Sequence, residues 1–415
     1  MKAEIIAVGS ELLTPDQCDT NSLAITARLN AAGFQVHFKS IVGDDRGDLA
    51  GLVKGALSRS SLIVISGGLG PTEDDVTREA VAKALGRPLV TNAEILRELR
   101  ARFARRNQPM PHNNERQAEV IEGAEALPNA VGTAPGMWIE HRGARIVLLP
   151  GPPRELLPMI ESSVMPRLVP LGGARRLATR SLRIIGLPES EVDAGVAPLY
   201  QQFPQVQTTL LAAGGYVGIR MQQWLKAGED AGAVEELAAR IRESLGSAVF
   251  TTSEESLEEV LGRLLRKSGN TLALAESCTG GMVGVRMTSI PGSSDYFLGG
   301  IICYSNEVKK RLCGVPEELL RRCGAVSAEV AEALARGVRE ALQSSIGISV
   351  TGIAGPGGGS DHKPVGLVYA ALANADGSIH TRRIIPGDRE MIRERSTYMA
   401  LSLLRNHLLG KEPAA

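Results

Sequence analysis

Apolar, β-branched runs alternate with helix-period segments from the first residues of the chain. AEIIAV reads as a buried strand, and NSLAITARLNAAG as a helix stopped by Gly33. QVHFKSIVG and LIVIS (Leu62 to Ser66) give two further strands. The stretch GGLGPTEDDVTREAVAKALG then reads as a glycine turn feeding a helix. Thr72 is expected as its N-cap, with Glu73, Asp74 and Asp75 in a first turn where the helix dipole favours acids. After two more helical stretches, MWIEH and ARIVLLP form a strand pair leading into the turn and helix of GPPRELLPMIE. Strand–helix alternation of this kind predicts a mostly parallel sheet covered on both faces.

From about Arg175 the pattern changes. RRLATRSLRIIG, QVQTTLL and YVGIRMQQW read as strands, PESEVDAGVAPLYQQ and AVEELAARIRESLG as helices, an order that predicts a small α+β module. Near Ser256 a third section begins with the amphipathic SLEEVLGRLLRKSG, followed by the strand TLALA. Strand-like GGIICYS, IGISVTG, GLVYAALA and IHTRRIIP recur after it, with helices AEVAEALARGVREALQ and REMIRERSTYMALSLLRNHLL. The expectation is an α/β, multidomain chain with boundaries near 1–170, 175–252 and 257–412.

Length supports that division, since 415 residues exceed what one core normally serves. Lys and Arg together number 46, as do Asp and Glu, and the resulting zero net charge counts against a nucleic-acid partner. The basic run RELRARFARR (Arg97 to Arg106) is either a solvated helix face or a holder of an anionic ligand. Five scattered cysteines have no zinc spacing, which points to reduced thiols. MKAEIIAVGSELL lacks a signal peptide's apolar centre and cleavage site, and no apolar run has bilayer length. A cytoplasmic protein without membrane contact is expected.

Candidate chemistry concentrates at AESCTGG, Ala275 to Gly281, directly after the strand TLALA. A strand that turns into a helix places its turn at the ligand-binding edge of a sheet, where free N–H groups attract anions. Ser277 and Cys278 both offer a nucleophile there; a plain glycine turn with a buried cysteine fits the same residues. The base is His362, His380 or His407, or a lysine whose burial leaves the amine neutral. Lys309 and Lys310 follow YSNE after a strand end, with Asn306 placed to cap their helix; a lone lysine there is more often a solvated charge. TGIAGPGGGS, Thr351 to Ser360, lacks the GK[ST] of a Walker loop. It is either a surface turn or a cradle for a phosphate or ribose.

Taken in order, AESCTGG, IPGSSDYFLGGIICYSNEVKK, GAVSAEVAEALARG and SVTGIAGPGGGSDHKPVGLVY resemble the nicotinamide-nucleotide (NMN) amidase domain of the competence/damage-inducible CinA family, over roughly residues 257–410. The resemblance implies hydrolysis of the carboxamide of nicotinamide mononucleotide, without a cofactor, by a Ser277–Lys309 dyad. Tyr304, Thr351 and an arginine of GDREMIRERS, taken as Arg393, would complete the pocket, with Gly352 and Gly355 in the glycine loop. The N–H groups of Thr279, Gly280 and Gly281 are expected as oxyanion donors. Glu276 is left as an orienting or structural group, and Cys278 as an inward-packing small hydrophobe.

VGSELL, DTNS, IVGDD, SGGLGPTEDDVTREA, GTAPGMW and LLPGPPRELLPM resemble the family's other half, a molybdopterin-binding-like three-layer α/β domain. By that resemblance Gly67, Gly68, Gly70 and Thr72 hold a nucleotide-like or pterin phosphate. Asp44, Asp45, Asp74 and Asp75 hold a divalent metal (Mg, Mn or Co), and the implied reaction is cleavage of the ADP-ribose pyrophosphate. The four aspartates follow strand ends, but first-turn or turn roles explain them as well. TPDQ, Thr14 to Gln17, departs from the Gly-containing stretch common in the family. The middle module resembles the family's small KH-like connector and has no GXXG clamp, so a spacer or dimer contact is expected. A bifunctional pyridine-nucleotide recycling enzyme, homodimeric, acting on NMN and ADP-ribose, leads. A nucleotide- or pterin-binding protein with a vestigial amidase, and a competence or DNA-damage factor, are the alternatives.

Overall fold

The structure is a computed structural model that describes residues 2–105, 107–173 and 175–411. Arg106, the last residue of the basic run, lies outside them. The chain divides into two units, one of Met1–Ala178 with Trp224–Asp230 and one of Thr179–Gln223 with Ala231–Ala415.

In the first unit the expected strands form a six-stranded sheet. Its spatial order is Gln35–Val42, Lys2–Val8, Leu62–Ser66, Ala144–Leu149, Gly136–His141, Glu125–Leu127. The first four run parallel, and the last two are joined to them through antiparallel pairings, so only Gly136–His141 is reversed. Leu62–Ser66 is buried throughout, as its unbroken apolar run requires of a central strand. Alternate residues feed opposite faces: Ile6, Ile63 and Ile146 enter one core, Ile5, Val64 and Val147 the other. Two cores on one sheet give the three-layer α/β arrangement that the alternating pattern anticipates.

One local expectation is corrected. The helix after the glycine turn begins at Thr77, and its N-cap, Val76, makes no side-chain cap. The segment from Gly67 to Val76 is therefore a loop, closed by Asp75 rather than opened by Thr72.

The second unit holds two sheets. One is four-stranded, in the order Gln207–Ala213, Tyr216–Leu225, Arg176–Ile185, Val249–Thr251. The other is five-stranded, in the order Phe297–Ile302, Leu272–Glu276, Ile346–Gly352, Leu367–Ala373, Ser378–Ile384. Its first three strands are parallel, and the last two are joined through antiparallel pairings, so only Leu367–Ala373 is reversed. The helix Leu257–Ser268 enters through a reciprocal capping box between Ser256 and Glu259 and stops at the left-handed Gly269. Its apolar stripe packs with the C-terminal helix, Arg389–Leu408, over one face of this sheet. The helices Asn306–Cys313 and Ala328–Ala341 cover the other face. Among the described residues no helix is long and apolar enough to cross a membrane.

Candidate active site

The strand Leu272–Glu276 is buried along its length between two parallel neighbours, so its carboxyl end is rigidly placed. Ser277 continues the ladder through a bond from its N–H to the Val350 carbonyl (2.9 Å). The chain then turns sharply at Gly280 and Gly281, whose φ values of +61° and +101° favour glycine. The short helix Met282–Thr288 follows. Glu276 closes this turn from inside. Its buried carboxylate accepts the N–H groups of Gly281 (2.9 Å), Val283 (3.1 Å) and Gly284 (2.8 Å). The acid thus satisfies orphan donors at the start of that helix and fixes the turn that carries Ser277.

The adjacent strand, Phe297–Ile302, ends level with Glu276, and the Cys303 N–H donates to the Glu276 carbonyl (2.8 Å). Ser305, not Asn306, caps the next helix, accepting the Val308 N–H (3.3 Å). One turn in, Lys309 points back beneath the sheet edge. Its Nζ lies 3.1 Å from Ser277 Oγ and donates to the carbonyls of Cys303 (2.6 Å) and Tyr304 (3.2 Å). Lys309 is 1% exposed and Ser277 9%, and among the described residues no carboxylate forms an ion pair with the amine. Burial pushes the Lys309 pKa below the usual lysine value.

The other candidates lie in different surroundings, His407 in the last turn of the C-terminal helix. Lys310 pairs with Glu307 (2.9 Å), which raises its pKa, and is the solvated charge. His380 Nδ1 lies 2.7 Å from Glu332, and His362 is exposed in the glycine loop. Cys278 packs into the hydrophobic core with Leu274 and Val283, and burial pushes its thiol up to about 12, so a thiolate is unavailable at neutral pH.

The remaining expected site residues are gathered here in part. Tyr304 is exposed, and its hydroxyl accepts from Arg389 (3.0 Å), which also donates to the Gly355 carbonyl (2.7 Å). Arg389 therefore joins the tyrosine to the glycine loop. It stands one turn before Arg393 on the same helix face, a signal the sequence carried. Arg393 donates to the carbonyls of Cys278 (3.2 Å) and Thr279 (2.9 Å), so it braces the turn after Ser277. Thr351 is buried and donates its hydroxyl to the Ala325 carbonyl (2.8 Å). Gly352 leaves no room for a Cβ, which would stand 2.8 Å from Val368 Cγ2. Two of the three expected oxyanion donors are already engaged: Gly280 N–H with the Ser277 carbonyl (3.1 Å) and Gly281 N–H with Glu276. Thr279 remains; its hydroxyl is buried with no hydrogen-bond partner.

In the first unit, Gly67 and Gly68 turn with φ of +104° and +64°. A Cβ on Gly67 would lie 2.1 Å from the Val8 carbonyl oxygen, so the loop must be glycine to pass the strand end. Asp75 accepts the N–H groups of Gly70 (2.7 Å) and Thr72 (2.9 Å) and the Thr72 hydroxyl (2.5 Å). Arg78 lies fully buried under the same loop and donates to the carbonyls of Leu69 (2.6 Å) and Gly70 (2.7 Å). This arginine, on a helix face otherwise apolar, escaped the sequence reading.

Asp45 is the N-cap of the helix Arg46–Arg59. The N–H groups of Asp48 and Gly47 hold its carboxyl below the usual range. Asp44 accepts the Ser10 N–H (2.8 Å), and Asp74 is exposed. Among the described residues no group of three or more His, Cys, Asp or Glu side chains gathers to hold a metal ion. With Asp45 and Asp75 committed to local N–H groups, the four aspartates do not form an oxygen cage for a divalent cation.

Residues 254–408 match the family described as CinA C-terminal domain, and residues 4–169 the one described as Probable molybdopterin binding domain. Across 100% of both chains, the sequence is 47% identical to a CinA-like protein of Solibacter usitatus. It is 49% identical to a CinA-like protein of Koribacter versatilis, over 99% of this chain and 100% of that one. A crystal structure of the protein CinA with unknown function from Thermoplasma acidophilum covers 41% of this chain and 99% of its own, at 31% identity and a TM-score of 0.38. Full-length identity near one half, with both domain types in the same order, shows that the chain belongs to the CinA family.

Proposed function

We propose that the second unit hydrolyses the carboxamide of nicotinamide mononucleotide to nicotinate mononucleotide and ammonia, with Ser277 as nucleophile and Lys309 as general base. The observation that carries this is the 3.1 Å approach of a buried lysine amine, which has no carboxylate ion pair among the described residues, to the Ser277 hydroxyl. A neutral amine has two N–H donors and one lone pair. The Cys303 and Tyr304 carbonyls take the two donors, and the lone pair is left for the serine proton.

In this scheme Ser277 Oγ attacks the carboxamide carbon while its proton passes to Lys309. The tetrahedral oxyanion needs a donor, and of the three expected N–H groups that of Thr279 is the one not taken by the Ser277 carbonyl or Glu276. Lys309 then protonates the leaving nitrogen, the C–N bond breaks, and ammonia departs. Water, deprotonated by the same amine, cleaves the acyl ester, releasing the carboxylate and restoring Ser277.

Because the base must be neutral, kcat/KM for ammonia release should rise with pH through the Lys309 pKa, which burial sets below the ordinary lysine value. Folding is linked with the same sign. The stabilising contribution of this group is complete above the unfolded pKa of about 10.4, and it is lost as pH falls through the lowered folded value. A rate that declines steadily from about pH 6 to about pH 9 would contradict a lysine base.

For the first unit we propose a nucleotide ligand, with cleavage of the ADP-ribose pyrophosphate as its reaction. The tight glycine turn braced by Arg78 supports this, together with the family's domain order. The aspartates as arranged fit no metal cage. Incubating the full chain with ADP-ribose, without added metal and with Mg²⁺, Mn²⁺ or Co²⁺ in turn, should release AMP in at least one case, equally in the Ser277→Ala variant. Absence of AMP in every case would remove the cleavage and leave binding alone.

A further inference from the structure

The hairpin between Gln207–Ala213 and Tyr216–Leu225 turns at Gly214 and Gly215, with φ of +30° and +145°. A Cβ on Gly215 would lie 2.0 Å from Tyr398 Cδ2, and one on Gly214 2.2 Å from Glu394 Oε1. Only bare backbone can come this close to the C-terminal helix. Beside this contact lies a cavity of 990 Å³, at the upper end of the roughly 300–1,000 Å³ found for ligand pockets. Ser277 and Lys309 do not line it.

Tyr216 and Tyr398 contribute rings 6.2 Å apart and inclined at 55°, and Met391, Met399, Leu245 and Ile384 add apolar wall. The charges are unequally matched. Glu394 is paired with Arg286 (3.1 Å), and Asp388 caps the C-terminal helix through the Met391 N–H (2.9 Å). Glu189 and Glu390 occupy first turns, where helix dipoles hold them. Arg383, Arg395 and Arg405 also line the cavity, and among the described residues none forms an ion pair with a carboxylate. Arg405 is 5% exposed; its terminal nitrogens reach only the Ser247 (2.8 Å) and Val249 (2.9 Å) carbonyls, and its Nε has no partner. A buried guanidinium without a counter-ion is costly, and an anion in the cavity would offset that cost.

We propose that this cavity is a second ligand site, for a small molecule that joins an aromatic ring to one anionic group. The ring packs against Tyr216 and Tyr398, and the acid answers the unpaired arginines. The C-terminal helix that lines the site also carries Arg389 and Arg393, which brace the glycine loop and the turn after Ser277. Arg286, on the helix that follows Ser277, donates to both Glu394 and Tyr398. A ligand against Tyr398 therefore bears on the elements that hold the Ser277 turn.

The probe is 8-anilinonaphthalene-1-sulfonate, titrated by fluorescence into the full chain, with neutral N-phenyl-1-naphthylamine as comparison. We expect one saturable site for the sulfonate, with the neutral amine at least about tenfold weaker. Ser402→Trp, which fills the cavity, and Arg395→Glu, which reverses an exposed charge, should each weaken the sulfonate by about tenfold with unchanged thermal unfolding. Arg383→Glu replaces either variant that fails to fold. Equal binding of the neutral amine, no saturable site, or full affinity in the variants would overturn the proposal. Because binding is read directly, none of these outcomes depends on the amidase reaction.

Discussion

Ser277→Ala is expected to abolish ammonia release from nicotinamide mononucleotide, with a loss of about 10⁴-fold or more, in a chain that remains folded. Only the Oγ is removed, and the turn keeps its bonds from the Ser277 N–H to Val350 and from Gly281, Val283 and Gly284 to Glu276. Lys309→Met should lose activity to a comparable degree, and the double variant little more, because nucleophile and base act as a unit. That substitution also leaves the Cys303 carbonyl without the Lys309 donor, at a cost of about 1–3 kcal/mol, so its stability needs separate measurement. Cys278→Ala should retain activity to within about tenfold, since the thiol sits in the core with its pKa pushed up to about 12. Steady-state release of ammonia by the purified variants checks the set. An inactive Cys278→Ala beside an active Ser277→Ala would transfer the nucleophile to the cysteine.

Gly337→Ala is expected to destabilise the second unit by about 3 kcal/mol or more, although alanine is the best helix former. Gly337 lies inside the helix Ala328–Ala341, and a Cβ there would stand 1.7 Å from the Cys313 carbonyl oxygen and 2.6 Å from its carbon. Those are backbone atoms and cannot rotate aside as a side chain can. Cys313 ends the helix that carries Lys309, so the displacement reaches the base and activity should fall with stability. Gly51, on the first-unit helix Arg46–Arg59, is the contrast. A Cβ there meets nothing within 4 Å, and Gly51→Ala should stabilise by about 0.4–1 kcal/mol. Urea unfolding of the two variants would show opposite shifts in midpoint; a neutral Gly337→Ala would mean that the two helices are not packed this closely.

How far the pattern along the chain could be trusted varied with the range of the interaction. The runs LIVIS and TLALA became buried central strands because an unbroken apolar segment has no polar face to show to water. Capping was less legible, since neighbouring polar residues compete for it. Ser305 took the place expected of Asn306, and Asp75 folded back on Gly70 and Thr72 where a helix start at Thr72 was expected. Arg393 and the Gly280 and Gly281 N–H groups were expected to face a substrate. They are committed instead to the turn after Ser277, a use that depends on where the C-terminal helix and Glu276 come to lie.

By itself the amino-acid order determined the strand and helix succession, the two α/β sections and the family, because period, turn residues and motifs are local properties of the chain. It also narrowed the nucleophile to two adjacent residues. Only the tertiary structure decided the surroundings of each. Ser277 and Lys309 meet because parallel strands bring two strand ends to one edge of a sheet, and the same burial that removes solvent from the amine takes Cys278 into the core. A pKa set by desolvation belongs to the packed neighbourhood and cannot be read from the residue type.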